Sequence, residues 1–218
     1  MRGSHSQDRD ATMTCLWNNF LVAGLLAVAT CVCSSGQTKP EAAPATPTRP
    51  LEVSEIDGGS ASTSEYGTVL NKDTSLHRKW YILNDRSSPL QLSGAGVTVA
   101  GANTFVLKGD ATTSAEISAI DVVAVLFDLW GDRSMNLRML KVKDLSSNTT
   151  FSLSDSETKW AAAENTVKEY LTSVTYVQRV RLADGKVWLA DMSAILRQIT
   201  DLHLKVSKED LEGRATPK

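Results

Sequence analysis

Cysteine is missing from most of this chain. Of 218 residues only Cys15, Cys31 and Cys33 are cysteine, and none follows Ser34. Whatever folds beyond that point holds no internal disulfide and no thiolate metal cage. Histidine is as scarce, with His5, His77 and His203 the full set. The two histidines beyond the leader cannot by themselves close a zinc site. An excess of charge is lacking too: 23 Lys and Arg against 25 Asp and Glu leave a formal charge of −2. Phosphate backbones are bound by basic faces, so nothing here argues for nucleic acid. Proline is rare outside one stretch, four of the six lying at Pro40, Pro44, Pro47 and Pro50.

What is present is a core. Hydrophobic residues make up 42% of the chain. A domain of about 150 residues buries roughly 68–70% of its unfolded surface, so wholesale disorder is excluded.

The first 33 residues read as an export signal. Phe20 to Cys33 is FLVAGLLAVATCVC, an apolar run of 14 residues. A permanent spanning helix needs about 20, whereas the apolar region of a secretory signal takes about 7–15. Arg2 and Arg9 put positive charge ahead of the run, offset by Asp8 and Asp10. A start at Met13 would remove all four.

Three outcomes are open at the end of the run. Ala27-Val28-Ala29 is an A-x-A site, which signal peptidase would cut between Ala29 and Thr30. LAVATC instead resembles a bacterial lipobox ending at Cys31, with Cys33 just beyond it. The residues before these cysteines are Thr30 and Val32, where lipoboxes carry Gly, Ala or Ser. An uncleaved anchor is the third outcome. The favoured reading is an acyl-anchored lipoprotein held to the lipid bilayer through Cys31 or Cys33. The several acyl chains that the family carries on its cysteine suffice for stable attachment.

Residues 34–63 are mostly Ser, Pro, Ala, Thr and Gly with scattered charge. Such a segment buries too little apolar surface to offset its ordering entropy and is expected to be a disordered tether. At ~30 residues it would span roughly 30 Å on average and up to about 90 Å extended.

From residue 64 to 204 short β-rich runs alternate with turn residues. Strands are expected at Arg78–Asn84, Leu90–Leu92, Val97–Val99, Thr104–Leu107, Leu137–Lys143, Thr149–Leu153 and Val187–Leu189. The longest run is Glu116–Trp130. There the period-2 rule puts Ile117, Ala119, Asp121, Val123, Val125, Phe127 and Leu129 on one face, with Asp121 marking where that face leaves the core. Ala161–Tyr170 is locally helical in propensity. Val174–Leu182 alternates and runs into Ala183-Asp184-Gly185-Lys186, the clearest hairpin signal in the chain. Met192, Ile195, Leu196 and Ile199 are spaced as one face of a short amphipathic helix that should dock on the sandwich. Residues 205–218 are mostly polar and expected to fray. Together these predict an all-β, immunoglobulin-like β-sandwich with a short C-terminal α-helix, preceded by a signal peptide and a disordered linker.

The stretch Val122-Val123-Ala124-Val125-Leu126-Phe127-Asp128-Leu129-Trp130-Gly131-Asp132 resembles the signature of FxLyD-type immunoglobulin-like domains of bacterial envelope proteins. Phe127 and Leu129 match its Phe and Leu, while Trp130 and Gly131 stand where its Tyr and Asp would be. The resemblance covers residues 100–180. It implies a β-sandwich on an exported, often lipidated protein and implies no catalytic residues.

No constellation for catalysis emerges. A nucleophile–base pair needs a histidine near Ser or Cys, oriented by a carboxylate. His77 sits among Lys72, Arg78 and Lys79 at a strand entrance and is expected in solvent. Asp201 and His203 would share one side of an extended segment, as a surface ion pair. Asp128 and Asp132 flank one turn, Asp110 and Glu116 another, with nothing to indicate an apolar pocket around either pair. Asn148-Thr149-Thr150 has the form of a glycosylation sequon.

The remaining candidates are aromatic. Trp17 belongs to the leader, while Trp80, Trp130, Trp160 and Trp188 fall in the domain. Two of these four, exposed and coplanar, would make a surface for an envelope glycan or a protein partner; otherwise they pack the core and its rims. The sequence therefore predicts a non-enzymatic, membrane-tethered protein of the bacterial cell envelope without cofactor or metal. It would act through contact with an envelope protein partner or as a structural or assembly accessory. The alternatives are a glycan- or small-ligand-binding module of the periplasm and a soluble periplasmic or secreted protein.

Overall fold

The computed structural model describes residues 50–61, 76–154 and 158–212. These all belong to the larger of two compact units, Pro44–Lys218. The smaller unit, Met1–Ala43, lies outside the described residues, and with it Ala29, Thr30, Cys31 and Cys33.

Two sheets form the domain. In chain order the strands are β1 (Leu51–Ser60), β2 (His77–Asp85), β3 (Leu90–Ala100), β4 (Thr104–Thr113), β5 (Ile117–Asp128), β6 (Arg133–Leu145), β7 (Thr150–Ser152), β8 (Lys159–Ala161), β9 (Tyr170–Leu182) and β10 (Val187–Leu189). The helices are α1 (Glu164–Glu169), α2 (Met192–Asp201) and α3 (Lys208–Glu212). The larger sheet runs β1-β2-β9-β5-β6, with β10 also paired to β9. The smaller runs β3-β4-β7, with β8 also on β4. All pairs are antiparallel except β2 with β9, which is parallel from Lys79↔Thr172 to Leu83↔Tyr176.

The main core lies between the sheets. Leu90, Leu92, Val97, Phe105 and Leu107 of the smaller sheet meet Ile82, Ile120, Val122, Ala124, Leu126 and Leu137 of the larger one. Tyr170 ties the two together: its hydroxyl donates to the Val97 carbonyl at 2.7 Å. Its ring meets Phe105 edge-on at 5.3 Å. Asn84 makes a second crosspiece, donating to the Leu92 carbonyl and accepting from the Leu92 N–H, each at 2.9 Å. Tyr170→Phe keeps the ring and removes the buried bond, so urea unfolding should show a loss of about 1–2 kcal/mol. An unchanged midpoint would mean the Val97 carbonyl finds an equal partner elsewhere.

The other face of the larger sheet is also buried along half its length. Leu83, Val123, Val125, Phe127, Val174 and Tyr176 pack under Ile195 and Ile199 of α2 and Leu211 of α3. Asp191 starts α2, its side chain accepting from the Ser193 and Ala194 N–H groups. The amphipathic helix read from residues 192–199 is thus present and docked. The molecule is a sandwich with a third, helical layer.

Several expectations need correction. Leu51–Ser60, assigned to the tether, is a strand paired to β2 from Leu51↔Asp85 to Ser60↔His77. Its LEVSEID segment alternates, but prolines just upstream make the region look uniform in composition. Residues 62–75 lie outside the described set. The tail from 205 does not simply fray: it carries α3, with Leu211 buried. The helix expected over Ala161–Tyr170 is confined to Glu164–Glu169, because Tyr170 is claimed by β9. The two short runs at 90–92 and 97–99 are one strand, interrupted by a register shift between Ser93 and Gly96. A shift between Ile117 and Ala119 also moves Ile117 to the inter-sheet face, away from Val123 and Phe127.

Candidate functional site

The larger sheet has one stretch of face that the helices leave uncovered. Paired residues of antiparallel strands share a face, so the register defines two rows across four strands. The first row is Leu140 on β6, Asp121 on β5, Arg179 on β9 and Leu189 on β10. The second is Val142, Ala119, Arg181 and Val187. The outer members of both rows are aliphatic and exposed, Leu140 at 63% and Val142 at 87%. Both middle positions on β9 are arginine.

Asp121 is the anchor of this face. The sequence pattern put it where the strand leaves the core, yet it is only 1% exposed. Two guanidinium groups cover it. Arg138 donates from Nε to Oδ1 at 2.7 Å and also, in a very short contact, from Nη2 to Oδ2. Arg179 donates to Oδ2 from Nε at 2.8 Å, with its Nη2 also 2.8 Å away. A buried carboxylate is tolerated only when paired in this way. The hydrogen bonds that Arg138 donates to Asp121 hold its pKa above the ordinary value, against the opposing effect of burial. Beneath them burial, reinforced by the Asp121 charge, pushes the Tyr176 hydroxyl upward. It stays a protonated phenol at all physiological pH. With Arg181 alongside, three guanidiniums face one carboxylate, so the face carries net positive charge between aliphatic borders.

The tryptophans do not come together. Trp130 is exposed, at 76%, in the β5–β6 turn. Its backbone N–H donates to Asp128 Oδ1 at 2.8 Å. Trp160 and Trp188 are half-buried and pack against the inter-sheet core, and Trp188 Nε1 donates to Ser87 Oγ at 3.2 Å. Trp80 is also half-buried, its indole lying in a slot between Gly58 and Gly96. A Cβ on either glycine would overlap the ring. A glycan platform of two exposed, coplanar indoles is therefore not built from these four.

The polar candidates are occupied locally. His77 is exposed, with Nδ1 3.3 Å from Asp57 Oδ2. Asp201 closes α2 and His203 follows in a left-handed conformation, φ 61°, so these two are not neighbours on an extended chain as expected. Asp128 Oδ1 also accepts the Asp132 N–H at 2.9 Å, which caps the turn. Asp132 pairs with Lys205 at 2.9 Å. Asp110 and Glu116 are exposed, and Asn148 stands exposed in a turn with φ 59°. Among the described residues no group of three or more His, Cys, Asp or Glu could hold a metal ion. No described helix is long and apolar enough to cross a membrane.

Sequence reading missed the uncovered face, although a signal was available. Leu140-Lys141-Val142-Lys143 alternates on a strand whose buried side is already filled by Leu137 and Met139. Such an arrangement offers aliphatic contact and guanidinium donors, the means to hold a carboxylate-bearing apolar surface. Compared with protein-family models, curated proteins and solved structures, the chain matches none of them.

Proposed function

We propose that this chain is a membrane-tethered protein of the bacterial cell envelope that works through protein–protein contact rather than catalysis. In this reading the sandwich is immunoglobulin-like, as the resemblance of residues 122–132 to the FxLyD signature suggests. A lipid-modified Cys31 or Cys33 and a tether ending before β1 hold it near the bilayer. The observation that carries the reading is the uncovered pair of rows, where Leu140, Val142, Val187 and Leu189 border Arg179 and Arg181. Two pairs of exposed aliphatic residues flanking arginines on one uncovered face suit an interaction surface.

The test is made on source membranes. The N-terminal peptide should carry acyl chains on Cys31 or Cys33, and a free Thr30 amine would overturn the tether. Hydroxyl-radical labelling of Leu140, Val142 and Leu189 should fall several-fold in the membrane relative to the dilute purified protein. Equal labelling would overturn the contact surface.

A further inference from the structure

The larger sheet ends in two edge strands of opposite character. β6 carries Arg138, Lys141 and Lys143 within six residues, and β1 carries Glu52, Glu55 and Asp57 within six. Among the described residues neither strand has a partner on its outer side. An edge presents unpaired N–H and C=O groups, so each is a template for another strand.

Direction and face both fit one occupant. β1 is antiparallel to β2, β2 is parallel to β9, and β5 is antiparallel to both β9 and β6. β1 and β6 therefore run in opposite senses, so a neighbour that continues the sheet, displaced across the strands and rotated by the sheet's accumulated twist, sets its β1 beside this β6 as an antiparallel pair. This placement also keeps faces matched. Leu51, Val53 and Glu55 lie on the helix-bearing face, because Val53 pairs with Leu83 and Glu55 with Tyr81. Arg138, Leu140 and Val142 lie on the same face of β6.

One register matches charge or apolar character at five of six positions, with Glu55 shared between Arg138 and Lys79 and Glu52 between Lys141 and Arg86. It sets Val142 against Leu51, Lys141 against Glu52, Leu140 against Val53, Met139 against Ser54, Arg138 against Glu55 and Leu137 against Ile56. Two ion pairs and three aliphatic pairs result, the combinations that stabilise cross-strand contact, with Met139 against Ser54 between them. Pairing would stop beyond Leu137, because Asn136 already donates to the Asp210 carbonyl at 2.6 Å and Arg133 pairs with Asp210 at 2.9 Å. Like edges are disfavoured by the single sign of charge that each would gather, Arg138, Lys141 and Lys143 on β6 and Glu52, Glu55 and Asp57 on β1.

We propose that copies of this chain associate edge to edge, β6 of one pairing with β1 of the next in that register. The proposal rests on the contact reading above and names its partner as a second copy. Such a contact is heterologous, so it propagates into an open row of molecules rather than closing as a dimer.

Disulfide trapping tests this on the full-length chain in detergent micelles. The domain has no native cysteine to interfere, and Cys15, Cys31 and Cys33 give separate peptides. Val53→Cys and Leu140→Cys proteins, mixed and mildly oxidised, should form a 53–140 disulfide. Leu51→Cys with Leu140→Cys should yield about tenfold less, since diagonal neighbours sit at the limit of disulfide geometry. Glu52→Lys on the first partner, or Lys141→Glu on the second, should each lower the 53–140 yield about tenfold, and the two together should restore it. Thermal unfolding confirms that each variant is folded. Links of 53 to 53 or 140 to 140, or no restoration by the charge swap, would overturn the edge pairing. Absence of any link, with Leu140 still protected in source membranes, would overturn it and leave contact with a different protein. Absence of both would overturn the contact reading as well.

Discussion

Replacing Arg138 and Arg179 together by methionine should cost the domain about 3 kcal/mol, the low end of the range for a buried charge stripped of its partners. The asymmetry of the site sets this expectation. Asp121 is 1% exposed, whereas the side chains of Arg138 and Arg179 are 29% and 47% exposed. Methionine retains much of each aliphatic stem but leaves the carboxylate without donors on the helix-bearing face. Partial solvent access from the arginine side moderates the penalty. Adding Asp121→Val to the double variant should recover most of the loss, because a β-branched apolar residue suits a strand flanked by Val123 and Ala119. Urea unfolding of the three proteins decides it. A triple variant no more stable than the double would show that the lost stability came from arginine packing, not from the stranded charge.

Gly109→Ala should be the most costly single glycine substitution, at about 2–4 kcal/mol. Two effects combine there. Gly109 has φ +124°, a backbone conformation closed to ordinary side chains, and a Cβ would lie 2.5 Å from Ala95 Cα on the neighbouring strand. Strain at such a residue and forced overpacking each cost about 1–3 kcal/mol. Gly101 is the control, since its φ is +67° but nothing lies within 4 Å of a Cβ. Its alanine variant should lose only about 1–2 kcal/mol, the backbone cost alone. Equal midpoints for the two variants would remove the packing contribution at Gly109. The clash arises because β3 shifts register between Ser93 and Gly96, which brings Ala95 against β4 at that point.

Much of the strand layout could be read from the sequence because alternation reports a strand's own two faces. The run that became β5 showed both its faces as apolar, and over Val122–Phe127 both prove buried, one under β3 and β4 and the other under α2. Alternation does not report which strand lies alongside, so the parallel pairing of β2 with β9 left no trace. Nor does it reveal a register shift. The step between Ile117 and Ala119 inverts one side chain while the residue types stay in order.

The candidate site was harder to see for a related reason. Asp121 looks like an exit from the core unless Arg138 and Arg179, far apart in sequence, are known to converge on it. Leu140 and Val142 look like ordinary strand residues until α2 is seen to stop short of them. Tryptophan drew attention by rarity and size. Three of the four in the domain turned out to be packing residues, and Trp80 depends on two glycines that no pattern would connect to it.

The parallel pairing of β2 with β9 also bears on how this chain comes to be folded. Lys79 waits for Thr172, about ninety residues later, and β1 hangs on β2. Neither N-terminal strand can join the larger sheet until nearly all of the domain has left the ribosome or crossed a membrane. Closing so long a loop is slow, and topologies dominated by distant pairings fold in milliseconds to seconds. During that interval His77–Asp85 carries Ile82 and Leu83 with no sheet to receive them, an aggregation-prone intermediate of the kind chaperones capture. A truncation removing β9 would thus leave both β1 and β2 as unanchored ribbon, and the order of synthesis makes the last third of the domain the step that commits the first.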